Sequence, residues 1–359
     1  MALDKINGIA WTSAAKVDDI AVAAISKIDG STVPAGTETA SRWMVASNSG
    51  KICSTDTSDA SGGWSEIIDL GNMGLLNVAI GEDGSGNKRW VLQGDAGYLA
   101  EIWYANNSLD LTDIGNWSSV THTDNNIAAD QGGPGVAWGN DVWVAGGTPY
   151  NDGDSYNTLM RSTDGAGTWS PIDDGNTVND KTRVVCYKSG NIWFMGHQSH
   201  IWKSIDNGAS WVDTIILEGT KDIFGMAYDG SSRWVAVLQS GNIYTSDDDW
   251  GSATERTSVT GTYNHQGVCY AGGSINKWVI CTLSGKISYS SDGDTWSAAT
   301  SGTSNHLWGI ATDDTTIVIV GNSGTILTST DGINWTPRTS NMSTRLNNVA
   351  SDVIGAGMR

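Results

Sequence analysis

The last third of this chain repeats itself, and the repeat limits what the chain can fold into more than any other feature does. From Gly309 the order is GIAT, TIVIVGNSG, TILTSTDG and NWTPRTS; from Gly267 it is GVCYAGG, KWVICTLSG, KISYSSDG and DTWSAATSG. From Gly225 it is GMAYDGS, RWVAVLQSG and NIYTSDDD. Each unit is a set of strand-length segments separated by Gly, Ser, Asn or Asp, the residues that make turns. The second segment ends at a Ser-Gly turn and is predicted to form a hairpin with the third. Second segments fall near Trp43, Trp90, Val142, Ile192, Trp234, Trp278 and Ile317. These seven units recur every ~40 to 50 residues, the period of four-stranded blades set radially about an axis. The chain is therefore expected to be all-β, a seven-bladed β-propeller of four-stranded blades.

One irregularity says how the ring closes. The later units open on an innermost strand, as in LNVAIG at 76, VAWGN at 136 and VVCYK at 184, whereas the first unit starts directly at RWMVASNSG. Residues 346–352, LNNVASD, match the 75–81 stretch LLNVAIG at Asn348, Val349 and Ala350. The C-terminus is thus expected to supply the innermost strand of the first blade. Residues 41–352 form the propeller on this reading, and 353–359 a short tail.

Composition supports strands and excludes several functions. The chain has 45 Gly and 18 Trp against 2 Phe and 5 Pro, so turns and aromatic strands dominate. Its formal net charge is −19, which opposes binding to a phosphate backbone, and no nucleic acid is expected as a partner. No apolar run approaches the ~18 residues of a membrane span. The start, MALDKINGIAWTS, lacks the order of a secretory signal. Cys53, Cys186, Cys269 and Cys281 have no zinc-ligand spacing. Cys269 and Cys281 lie on the two arms of one hairpin, but small buried thiols are the reading preferred for all four. Asp247-Asp248-Asp249 matches no calcium-loop spacing. No metal and no cofactor is expected.

Two stretches share one template: RSTDGAGTWSP at 161–171 and KSIDNGASWVD at 203–213. In it Asp164 and Asp206 are expected to accept N–H bonds within their own turns. Gly167 and Gly208 are expected to supply a positive φ. Trp169 and Trp211 are expected to fill the space between blades. Asp292 with Trp296, and Asp331 with Trp335, form variants one residue shorter, and units one, two and five look degenerate. These stretches resemble the Asp-boxes of sialidase-like propellers, and G-x-I-x-x-S-x-D-G-x-x-W is similar to the repeat of photosystem II assembly-factor propellers. The likeness covers about residues 41–352 and implies a fold. It does not imply sialidase chemistry. That needs an Arg triad and a Tyr–Glu pair, and the Arg-Ile-Pro motif of such enzymes is absent. Arg42, Arg89 and Arg233 each precede a second-strand Trp and so read as features of the repeat. A box that recurs around a ring is a structural device; no catalytic residue is assigned.

The first forty residues differ in kind. Lys5-Ile6-Asn7-Gly8, Lys16-Val17-Asp18-Asp19 and Lys27-Ile28-Asp29-Gly30 recur every 11 residues. That period can mark a coiled coil, but Asn-Gly and Asp-Gly break helices, and short strands joined by turns fit better. Such an arm resembles the N-termini of bacteriophage virion proteins, tail-associated ones in particular. The resemblance implies a non-enzymatic structural protein of a phage virion. It would be made in the host cytoplasm, dock on other virion subunits through residues 1–40, and be present in several copies in a symmetric assembly. The propeller would serve as recognition module or spacer, with a host-surface glycan or protein as its ligand. The alternatives are a carbohydrate-binding or glycoside-hydrolysing propeller, and an assembly factor.

Topology assigns loops to rims. Turns between strands two and three share one rim with the crossings between blades, and the box turns lie on the other. His122, His265 and His306 fall in crossings, and His197 and His200 in a hairpin turn. The insertion GGTPYNDGDSYN at 146–157 carries Tyr150 and Tyr156 to that rim. Tyr150, Tyr156, His197, His200, His265 and His306 are the candidate contact surface, exposed on the rim opposite the boxes.

Overall fold

Among the described residues, seven four-stranded antiparallel sheets follow one another along the chain. The computed structural model describes residues 42–71, 74–83, 85–95, 100–121, 127–128, 135–149, 159–172, 181–217 and 219–353, together with four two-residue strands nearer the N-terminus. Blade six shows the plan. His265–Ala271, Lys277–Thr282, Ile287–Ser290 and Ser297–Ala299 run in that order from the axis outward. The innermost strands of all seven blades line one central cavity.

Blade one is closed by the far end of the chain. Leu346–Ser351 pairs antiparallel with Trp43–Ser47, Leu346 opposite Ser47 and Ser351 opposite Trp43. Lys51–Thr55 and Ser65–Asp69 complete the sheet. Asp352 extends the closure: its carboxylate accepts the Arg42 N–H at 2.9 Å, and Asn107 donates to its other oxygen at 3.3 Å. Lys88 donates to its carbonyl at 2.8 Å. Burial pushes the Asp352 carboxyl pKa up, although Lys88 works against the shift.

The core lies between blades. Trp43, Trp90, Trp143, Trp193, Trp234 and Trp278 occupy one repeated position on the second strands, and Ile317 occupies it in blade seven. All are buried. A buried Trp removes about 150–250 Å² from water, so this ring of indoles is a large part of the driving force. Indole N–H groups of Trp43, Trp90, Trp143, Trp193 and Trp234 find acceptors, as Trp90 does at Asn107 Oδ1, 2.7 Å, and Trp193 at Asn207 Oδ1, 2.9 Å. The four cysteines are free and buried. Cys281 stands opposite Gly267, and Cys269 opposite Val279. Burial pushes the thiols of Cys53, Cys186 and Cys281 up to about 12.

Residues 1–40 form a unit separate from 41–359. In it Lys5–Ile6 pairs with Ile9–Ala10 and Lys27–Ile28 with Ser31–Thr32, both antiparallel. Two residues separate the strands of each pair, as Asn-Gly and Asp-Gly turns require. The middle copy, 16–19, lies outside the described residues.

Candidate functional site

The two rims differ in how their polar groups are used. On one, five turns between strands three and four share a hydrogen-bond pattern. Ser162, Ser204, Ser246, Ser290 and Ser329 each donate to the Asp two residues on, at 2.8–3.0 Å. Each Ser Oγ then accepts an N–H from a residue in the left-handed region: Ala166, Gly208, Trp250, Gly293 and Gly332. Each Asp also accepts backbone N–H bonds further along its turn, as Asp292 does from Asp294 and Thr295. The Thr295 N–H, with Ser290, holds the Asp292 carboxyl at about 2. At Asp331 partial burial opposes the shift, but the backbone and side-chain donors of Asn334 prevail and hold it at about 2. Carboxylates committed in this way stay ionised and have little acceptor capacity left for a substrate.

Two expectations for these turns need correction. Gly167 does not take a positive φ; Gly165 and Ala166 do, at 76° and 73°. The blade-three turn is one residue longer than the blade-six turn and takes two left-handed residues, Gly165 and Ala166, where blade six takes one, Gly293. Blade five is not degenerate in geometry either. Its Asp248 accepts from Ser246 and from Ser252, as in the other turns. Its Trp has moved to the left-handed position, Trp250 at φ 66°, where it is fully buried. Trp169, Trp211 and Trp296 pack against residues of two neighbouring blades. Trp335 packs likewise at the border of blades six and seven.

The opposite rim is built around the mouth of the central cavity. In five blades the innermost strand carries one extra residue just inside this rim, a β-bulge: Leu76, Phe224, Gln266, Trp308 and Asn347. A bulge re-aims the side chain it carries, and all five line the cavity, which has a volume of about 210 Å³. Arg183 joins them in blade four. It pairs with Asp222 at 2.9 Å and lies over the Phe224 ring at 5.1 Å. Among the described residues that line the cavity, none is Asp or Glu.

The histidines do not form one exposed surface. His265 is 0% exposed: Asn242 C=O faces its Nδ1 at 3.4 Å, and Thr260 Oγ1 its Nε2 at 3.0 Å. A carbonyl only accepts, so Nδ1 carries the proton and Nε2 accepts from Thr260. Burial lowers its pKa to about 4, against the Asn242 bond. His197 is also buried, its ring stacked on those of His200 and Trp202. Its proximity to His200 is thus a packing arrangement. His200 Nδ1 meets Asp213 at 2.7 Å, and His306 Nδ1 accepts the Ser284 N–H at 2.9 Å. The expectation of exposed rings therefore fails for His197 and His265, because rim position does not determine which way a side chain points. Tyr150, Tyr156 and His122 lie outside the described residues. The bulge ring escaped the sequence reading, although a signal exists. In Phe224-Gly225, Gln266-Gly267 and Trp308-Gly309 the residue before the repeated Gly varies within a constant frame.

No protein-family model matches the chain, and no curated protein matches it in sequence. Solved structures match in fold. YCF48 bound to D1 peptide aligns over 74% of this chain and 81% of its own, at 15% identity and a TM-score of 0.53. A catalytically inactive virginiamycin B lyase from Staphylococcus aureus with quinupristin aligns over 79% and 92%, at 15% identity and a TM-score of 0.57. The GH74 xyloglucanase from Xanthomonas campestris aligns over 83% of this chain and 46% of its own, at 16% identity and a TM-score of 0.55. The class to which the architecture assigns the chain is the seven-bladed β-propeller with four-stranded antiparallel blades. At such identities the likeness is one of fold.

Proposed function

We propose that the chain is a non-enzymatic binding protein of a phage virion. Its propeller holds a segment of a partner protein at the cavity mouth, and residues 1–40 attach it to neighbouring subunits. The observation that carries the binding role is the bulge ring: an aromatic, apolar and amide set of side chains that changes from blade to blade where the rest of the blade repeats. A bound peptide in one fold neighbour, YCF48, fits this reading. The virion role rests on the Lys-(Ile/Val)-(Asn/Asp)-Gly repeats of the arm. A glycoside hydrolase has a fold neighbour in the xyloglucanase. Its chemistry calls for two carboxylates across a cleft, and no described residue lining the cavity supplies one.

Mass spectrometry of purified particles tests the reading. The intact chain is expected at fixed copy number, and a protein lacking residues 1–40 is expected to melt as the whole chain does yet be missing from particles. Retention of the shortened protein at full copy number removes the arm as anchor, and absence of the intact chain from particles removes the virion role.

A further inference from the structure

Arg345 is an arginine without an acid. Arg42, Arg89, Arg183, Arg233 and Arg256 each meet an Asp carboxylate. Among the described residues Arg345 meets none; Arg161 and Arg338 meet none there either, but each donates to a backbone carbonyl, of Asn207 and of Ser61. In Arg345 one Nη donates to Asn48 Oδ1 at 3.1 Å, the guanidinium lies over the Trp308 ring at 4.7 Å, and Nε is buried without a hydrogen-bond partner. Burial lowers its pKa. Taking a guanidinium out of water without a counter-charge opposes folding, and this chain has 39 acidic residues from which to supply one.

The repeat shows what Arg345 replaces. It is the last residue before the innermost strand of blade one, as Asn264 is before that of blade six and His306 before that of blade seven. Asn264 Oδ1 accepts the Ser240 N–H at 2.9 Å, and His306 Nδ1 accepts the Ser284 N–H at 2.9 Å. Ser240 and Ser284 are the left-handed residues of their hairpin turns, and the third such residue is Ser323, at φ 56°. At the corresponding place beside it stands Arg345, which has only donors to offer. A guanidinium standing where the sibling blades place an acceptor favours an anion. The surroundings agree in charge. The turns 239–242, 283–286 and 322–325 and the crossings 257–264, 300–306 and 339–345 contain no Asp or Glu.

We propose that Arg345 receives a carboxylate of the bound partner segment, from its C-terminus or from an Asp or Glu side chain, where blades seven and one meet. This rests on the cavity mouth being the binding site. The apolar side chains next to that carboxylate enter the cavity alongside Trp308. Its volume, about 210 Å³, is below the ~300–1,000 Å³ of pockets that enclose whole small ligands. It suits a few side chains better than a complete acidic sugar.

The test is an NMR titration of the full-length protein that follows the Arg345 Nε–H signal and the amide signals of Gln266 and Trp308. Four probes are compared: N-acetyl-Leu-Leu as free acid, the same dipeptide as amide, N-acetyl-Leu-Glu amide, and N-acetylneuraminic acid. The free acid or the Glu probe is expected to shift Nε–H and to bind about tenfold tighter than the uncharged amide; which of the two does so names the source of the carboxylate. Arg345→Gln is expected to abolish that preference while melting no lower than the parent. Should it unfold, Arg345→Lys, which keeps the charge without the planar fork, is expected to weaken binding without abolishing it. Equal binding of the acidic and uncharged dipeptides, with Gln266 and Trp308 still shifting, overturns the carboxylate site and leaves the mouth as a binding site. Silence of all three signals with every probe overturns both. Preference for N-acetylneuraminic acid replaces the peptide by a glycan and overturns the proposal as stated.

Discussion

At the Ser-x-Asp end of a blade the box carboxylate and its Ser are satisfied within their own turn, and arginines such as Arg161 and Arg233 supply the links to the next blade; at the hairpin end the turn itself reaches across. Asp292 takes N–H bonds from Asp294 and Thr295 and a hydroxyl from Ser290, all within its own turn. Ser284, at the other end of the same blade, gives its N–H to a side chain of the crossing into blade seven. A turn satisfied by its own residues can be copied from blade to blade. A contact between neighbours depends on two residues about 20 positions apart in sequence, and it has diverged: Asn264 in one place, His306 in the next, Arg345 in the third. The repeated end carries the fold, and the divergent end has room for recognition.

Three perturbations sharpen that contrast. The largest effect is expected from ending the chain before Leu346. This removes the innermost strand of blade one, with buried Leu346 and Val349, and the Asp352 bonds to Arg42 and Asn107. Cooperative thermal unfolding by circular dichroism should disappear; unchanged melting rejects closure by the C-terminus.

Next is His265, which belongs to the divergent rim but is packed like the core. Its folded-state pKa of about 4 lies below the ordinary 6.5. The folded protein therefore binds the proton less readily than the unfolded chain. The stability linked to this group is complete above pH 6.5 and is lost as the pH falls toward about 4, a change of roughly 3 kcal/mol. In urea titrations, His265→Asn should be less stable than the parent at pH 7 but should lack this part of the decline. An identical decline in both proteins removes His265 as its source.

The smallest of the three is Asp292→Ala. Loss of the acceptor in a self-satisfied turn should cost about 1–2 kcal/mol at neutral pH, with no change in binding at the opposite mouth. Because the Asp292 pKa is depressed, its contribution is present above about pH 4 and lost as the pH falls through about 2. The gap between parent and variant should close over that range. A binding defect in Asp292→Ala would break the division of labour between the rims.

Much of the fold was legible because its determinants are local. Seven second strands recur at a near-constant spacing, and Asn348-Val349-Ala350 marks the closing strand by its match to residues 77–79. The turns were less legible. Counting along the template put the positive φ at Gly167, whereas the register of the Ser162 bond puts it at Gly165 and Ala166. Blade five looked degenerate because its Trp had moved by three positions, yet Ser246 and Asp248 form the same bonds as their counterparts.

The candidate site was least legible, for a physical reason. A bulge is a mismatch between two paired strands, so Phe224, Gln266 and Trp308 enter the cavity through a register that neither strand states alone. Burial of His197 and His265 likewise depends on what neighbouring elements place around them. The sequence by itself determined the all-β class, the number of blades and the strand that closes the ring, since periodicity and turn chemistry act over a few residues. Only the tertiary structure decided which side chains meet at the axis, which histidines are shut away and that the Arg345 Nε is buried without a partner. Those outcomes depend on residues far apart in the chain coming within a few ångströms of each other.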